Sequence, residues 1–153
     1  MPILNYTTSI SAEKTVSEIQ KCLCSAGAKA IMTQYDDEQC LISIAFQIDH
    51  DGQNVSFVLP AKIDKIYIIL QNDDEVTRKL KTREQASRVC WRIIKAWIEA
   101  QMALIEADQA NLVEVFLPYA QDHTGQTVYQ KLEKRGFAGL LDFDAQDKGS
   151  DGT

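Results

Sequence analysis

Apolar side chains recur along this chain with two different periods, and the changes of period divide it into elements. Ile42, Ile44, Phe46 and Ile48 alternate with Leu41, Ser43, Ala45 and Gln47; after Asp49-His50-Asp51-Gly52-Gln53 the alternation resumes with Val55, Phe57 and Leu59, up to Pro60. Period two on both sides of an Asp-Gly turn predicts a β-hairpin. Residues 28–35 lead into it through Asp36-Asp37-Glu38 and supply a further strand, so an antiparallel meander is expected. Residues 3–9, Ile-Leu-Asn-Tyr-Thr-Thr-Ser, are rich in β-branched and aromatic side chains and read as a short additional strand.

The helical period brackets this meander. Thr15-Val16-Ser17-Glu18 fits a capping box, Val16, Ile19, Leu23 and Ala26 mark one apolar face, and Gly27 suits a left-handed stop. After Pro60, Ile63, Ile66, Tyr67 and Leu70 recur at helical spacing, although 66–70 would also pass as a buried strand; 71–79 read as a polar loop. From Thr82 to about Ala107 there is neither Gly nor Pro. There Ala86, Val89, Cys90, Ile93, Ile94, Trp97, Ala100, Gln101 and Leu104 trace one face of a long helix. A short helix from Asn111, with Leu112, Val115, Phe116 and Tyr119 inward, breaks near Pro118, and another over 127–135 is closed by Gly136. The expected fold is α+β: an N-terminal helix and an antiparallel meander of three to four strands, packed against a long C-terminal helix with short helices after it. One domain over 1–137 is expected, followed by an acidic, disordered tail over 138–153.

Composition narrows the class. The 153 residues, 45% hydrophobic and 25% charged, suit a single ordinary core. No apolar run approaches the ~20 residues of a membrane span, and Met1-Pro2-Ile3-Leu4 has no secretory character, so a cytoplasmic protein is expected. Four cysteines then read as buried, reduced thiols, and Cys22-Leu23-Cys24 is too closely spaced for a zinc pair. Phosphate-binding loops and the common hydrolase signatures are missing, and no cofactor or metal is expected. His50 and His123 each stand beside carboxylates in turns, a pattern that would serve a metal-dependent hydrolase but that solvated turns also produce.

The formal net charge of −6 conceals an uneven distribution. Arg78, Lys79, Lys81, Arg83, Arg88, Arg92 and Lys95 fall within eighteen positions, opposed there only by Glu84. Arg88 and Arg92, at i and i+4, share a helix face from which guanidinium forks can hold phosphates. The same face could instead be solvated, with Glu84 pairing Arg88 and Lys95 pairing Glu99. Trp91 lies between the two arginines, where it could stack a base, anchor a partner or cover the edge of the core. Arg83, Arg88, Trp91, Arg92 and Lys95 are therefore the candidate ligand- or partner-binding residues. The α-β-β-β-α order of 15–107 also matches a duplex-RNA module, against which stands the acidic overall balance.

Several segments resemble a family of small phage, prophage and mobile-element proteins that has no assigned activity. They are Leu4-Asn5-Tyr6-Thr7-Thr8, Lys14-Thr15-Val16-Ser17-Glu18-Ile19-Gln20, Gly27-Ala28-Lys29-Ala30-Ile31-Met32 and Phe57-Val58-Leu59-Pro60, then Arg88-Val89-Cys90-Trp91-Arg92, Ala100-Gln101-Met102-Ala103-Leu104 and Phe116-Leu117-Pro118-Tyr119. The pattern of that family has Ala where this chain has Cys90, and often Gly in the turn where it has Asp36-Asp37-Glu38. The resemblance implies a mobile-element context, in which small proteins without enzyme motifs bind and neutralise host factors or defence signals. The resulting expectation is a non-catalytic binding protein, acting in a bacterial cytoplasm and able to form a homo-oligomer. Its ligand would be a host protein or an anionic ligand such as a nucleotide signal. A nucleic-acid-binding accessory protein is the alternative, and a metal-dependent hydrolase the third reading.

Overall fold

Helix α1 (Ala12–Ser25) leads into strands β1 (Ala30–Tyr35), β2 (Leu41–His50) and β3 (Gln53–Val58), then α2 (Ile63–Asn72) and the long α3 (Arg83–Glu106). The short α4 (Leu112–Phe116), a two-residue strand β4 (Ala120–Gln121) and α5 (Val128–Arg135) follow. The computed structural model describes residues 1–140. The tail expected over 138–153 lies outside the described residues from 141 onward, while its first residues belong to a 3-10 turn, Phe137–Leu140. The sheet is antiparallel throughout, in the order β1-β2-β3-β4. The α+β architecture expected from the alternating and helical periods is the one observed.

Local chemistry explains most boundaries. Asp51 (φ 51°) and Gly52 (φ 81°) both turn through the left-handed region between paired His50 and Gln53, the two-residue geometry that matches the twist of a hairpin. The Thr82 hydroxyl caps α3 by accepting the Gln85 N–H, and the Ile63–Leu70 segment is helical rather than extended. The predicted capping box of Thr15 and Glu18 does not form. Ser11 caps α1 instead, its hydroxyl accepting the Lys14 N–H, so the helix starts a turn earlier and Thr15 is a buried interior residue.

Residues 3–9 are not a strand. Asn5 sits at φ 64°, Tyr6 N–H donates to Ile3 O and Thr8 N–H to Asn5 O, so the backbone bonds to itself in turns. What fixes this segment is remote in sequence: buried Gln85 donates from Nε2 to the carbonyls of Tyr6 and Thr8, 2.9 Å each. A second departure lies in β2, where Gln34 pairs with Ser43 but Tyr35 pairs with Leu41. Ile42 is the extra residue of this bulge. It therefore turns outward and Leu41 turns inward, against strict alternation.

Ile44, Phe46 and Ile48 of β2 and Phe57 of β3 form the sheet side of the core, with Val16, Ile19 and Leu23 of α1 against them. Phe46 stacks on Phe57 at 5.2 Å between ring centroids, and Phe116 from α4 meets both edge-on, in turn touched by Trp97. Such aromatic pairs add about 0.5–1.5 kcal/mol each beyond burial, which fixes the short helices after α3 to the end of the sheet. Helix α3, about 36 Å long, packs on both α1 and α2. Its start is consequently covered on several sides: from Gln85 to Trp91, every residue but Arg88 is buried.

Candidate functional site

A cleft of about 460 Å³ opens where three chain starts and ends meet: the first turns of α1, the turn between β1 and β2, and the first turns of α3. Such a volume lies within the range of small-ligand and peptide-anchor sites. Ala12, Val16, Leu41 and Ile63 give it an apolar floor, and Tyr35, largely exposed, stands at its mouth. Charged groups of both signs surround the floor: Arg83 and Arg88, with Glu13, Asp36, Glu38 and Glu84. The Asp36 carboxylate organises the turn by accepting the N–H groups of Glu38 and Cys40, each at 2.9 Å. At the base, the Cys40 thiol lies 3.7 Å from the hydroxyl of buried Ser87.

Of the five residues predicted to form a site, the fold brings two to this cleft and sends three elsewhere. Arg88 is held in place, donating to Gln85 Oε1 (3.2 Å) and Glu84 Oε1 (2.7 Å). Arg83 pairs with Asp64 and lies over the Tyr67 ring, 5.7 Å from its centroid. Asp64 raises the Arg83 pKa above its ordinary value, with Glu38 and Asp36 adding to the effect, so this group stays charged. Arg92 and Lys95 face α1 instead: both reach Glu18, at 3.0 and 3.2 Å, and Lys95 also pairs with Glu99 at 2.6 Å.

Trp91 is the clear correction. Its exposure is 0%, so it can neither stack a base nor anchor a partner at the surface; it is core, and its indole N–H has no hydrogen-bond partner among the described residues. The pairs Glu84–Arg88 and Lys95–Glu99 expected of a solvated face are both present. Cysteines correct a second expectation: only Cys90 is buried, where desolvation pushes its thiol pKa up, while Cys24 is exposed and Cys22 and Cys40 are half-buried. The exposed His50 sits beside Asp51 (3.6 Å), and His123 lies in the turn organised by Asp122. No group of three His, Cys, Asp or Glu able to hold a metal occurs among the described residues. No described helix is long and apolar enough to cross a membrane.

Glu18 couples the helices in a pH-dependent way. Hydrogen bonding to Lys95, reinforced by Arg92, lowers its pKa below the ordinary 4.5. Asp122 is lowered in the same direction by Lys131, 2.6 Å away, and by Thr124. A carboxylate depressed in the folded state contributes stability that is full above its unfolded pKa and lost as pH falls through the folded one. Thermal stability is therefore expected to decline as pH falls below about 4.5, and Glu18→Gln to shallow that decline while lowering Tm at neutral pH. Melting curves taken across the carboxylate range measure both; an unchanged acid limb in Glu18→Gln would show that the bridge does not couple to folding.

No family model, curated protein or solved structure matches the chain. The cleft must be read from its own chemistry. Its α1 and β1–β2 walls carry little sequence signal, because Ser11, Tyr35, Asp36 and Leu41 are ordinary cap, strand and turn residues taken one at a time.

Proposed function

We propose that this chain is a non-catalytic binding protein of phage type that captures a host protein in the bacterial cytoplasm by seating a mixed-charge segment of it in the cleft. The observation that carries this reading is the charge state of the cleft wall: Arg83 and Arg88 are both present, and both already hold carboxylates. A nucleotide signal needs several unpaired donors around its phosphates. Here it would have to displace Asp64 and Glu84 and then face Asp36, Glu38 and Glu13. A polypeptide segment asks less of the two guanidiniums: its cation pairs with Asp36, Glu38 or Glu13, its carboxylate shares Arg83 or Arg88 with the acid already there, and the apolar floor takes its apolar side chains. Of the two ligand classes expected from the basic segment, the lining favours the host protein.

The test is co-purification from host cells, read by native mass spectrometry. A host protein is expected to accompany the wild type and to be lost from Arg83→Glu/Arg88→Glu, a variant changed at exposed Arg83 and half-buried Arg88 and checked for folding by circular dichroism, while exposed Lys79→Glu leaves it bound. A host protein retained by the double variant, or a nucleotide found in its place, overturns the proposal.

A further inference from the structure

The two edges of the sheet are built differently. At one end β4 has only two residues, and Gln121 is bridged by Thr127, so that edge is short and covered. At the other end β1 offers six residues whose outer backbone groups have no strand beside them among the described residues. Natural edges are blunted by charge, proline, bulges or brevity, because an unblunted one pairs with another chain. Ala30-Ile31-Met32-Thr33-Gln34-Tyr35 has no charge, no Pro and no Gly. The bulge of the β1–β2 ladder lies at Ile42 on β2, which leaves β1 itself regular. Met32 and Tyr35 are 57% and 59% exposed, and Ile42 beside them is 42% exposed.

The ends of β1 say which chain fits. Lys29 precedes the strand, and Asp36-Asp37-Glu38 follows it. Pairing with a parallel copy would set like charges together at both ends. Antiparallel pairing about a two-fold axis sets the basic end of each copy against the acidic end of the other. Residues opposite one another must lie on the same face of the sheet, which a two-fold axis at Thr33 satisfies. Ile31 then lies opposite Tyr35 of the second copy, Met32 opposite Gln34, and Lys29 faces the acidic turn that Asp36 and Asp37 begin. An aliphatic–aromatic pair and an ion pair, each occurring twice, are among the favourable cross-strand combinations. Lys29 now lies 3.6 Å from Asp49 with its side chain two-thirds exposed, loose enough to turn to a stronger partner.

We propose that β1 pairs antiparallel with β1 of a second copy, joining two sheets into one through a self-complementary edge. An interface of this isologous kind closes on itself and does not propagate into a filament. Because Tyr35 and Asp36 also line the cleft, the same pairing brings Lys29 of the second copy toward the acidic rim of the binding site.

Sedimentation velocity on the full chain tests this. Wild type is expected to run at twice the chain mass in a concentration-dependent equilibrium. Met32→Lys, an exposed change that far-UV circular dichroism should show to be folded, places two lysines diagonally across the axis. It should weaken the dimer by roughly tenfold or more. Lys29→Glu should weaken it as well, and Lys29→Glu/Asp37→Lys should restore it by exchanging the charges. A wild type that stays monomeric overturns the proposal, as does a dimer unaffected by Met32→Lys or not restored by the charge exchange.

Discussion

Replacing Trp91 with alanine is expected to cost about 3–5 kcal/mol of folding stability and to lower Tm by roughly 10–20 °C. The indole is the largest fully buried side chain among the described residues, at 0% exposure, on the stretch of α3 enclosed by its neighbouring helices. Its removal leaves a cavity that the covered face of α3 cannot close. Trp91→Phe should cost much less, because it keeps most of the apolar volume and removes an indole N–H that has no partner among the described residues. Urea or thermal denaturation of the two variants measures the difference. A Trp91→Ala protein of native stability would show that the indole is not a core residue. The result also bears on function: lost binding in Trp91→Ala would report unfolding, and the cleft must be tested through Arg83 and Arg88.

The misplacement of Trp91 shows where periodicity stops informing. Averaged over the whole of α3, apolar positions centre on Ala86, Ile93, Trp97 and Leu104, and Trp91 falls about 140° from that centre at ~100° per residue, well off the stripe. The buried residues Ala86, Cys90, Trp91, Ile94 and Ile98 define a face turned by about 75° from it, at ~100° per residue. The first four turns meet helices on their flanks as well as the sheet, whereas Leu104 near the free end is exposed. A stripe computed on one helix cannot contain the position of the other two. Strand order from β1 to β3, the Asp51-Gly52 hairpin and the helix starts near Thr82, Asn111 and Thr127 were legible because each depends on residues close in sequence. The turns of 3–9, the bulge at Ile42 and the splitting of the basic segment were not, since each is decided by a distant partner: Gln85, the β1 ladder and Glu18. Arg83 and Arg88 could be named as candidates from charge spacing alone, but the α1 and β1–β2 walls of their cleft exist only once the chain has folded.

Gln85 is where stability and the cleft meet, and Gln85→Leu is expected to lose about 2–3 kcal/mol through the polar groups it leaves unpaired. The buried amide makes three contacts at once: Nε2 serves the carbonyls of Tyr6 and Thr8, and Oε1 accepts from Arg88. Leucine fills the space but satisfies none of them. The segment over 3–9, which has only turn hydrogen bonds of its own, should then detach locally before the domain unfolds. Limited chymotrypsin digestion should show faster cleavage at Tyr6 at temperatures well below Tm. Arg88 would lose one of its two anchors with its charge unchanged, so binding at the cleft should weaken even where the fold is intact. Gln85→Glu separates the two roles. Its carboxylate still accepts from Arg88, but it faces the Tyr6 and Thr8 oxygens with no donor, so it should release the N-terminal segment while keeping the guanidinium in place. Equal protection of Tyr6 in wild type and both variants would mean that the N-terminal turns are held by something other than this side chain. Binding lost in Gln85→Leu and kept in Gln85→Glu would assign to Gln85 the positioning of Arg88, because the two variants share the loss of the N-terminal anchor and differ at the acceptor.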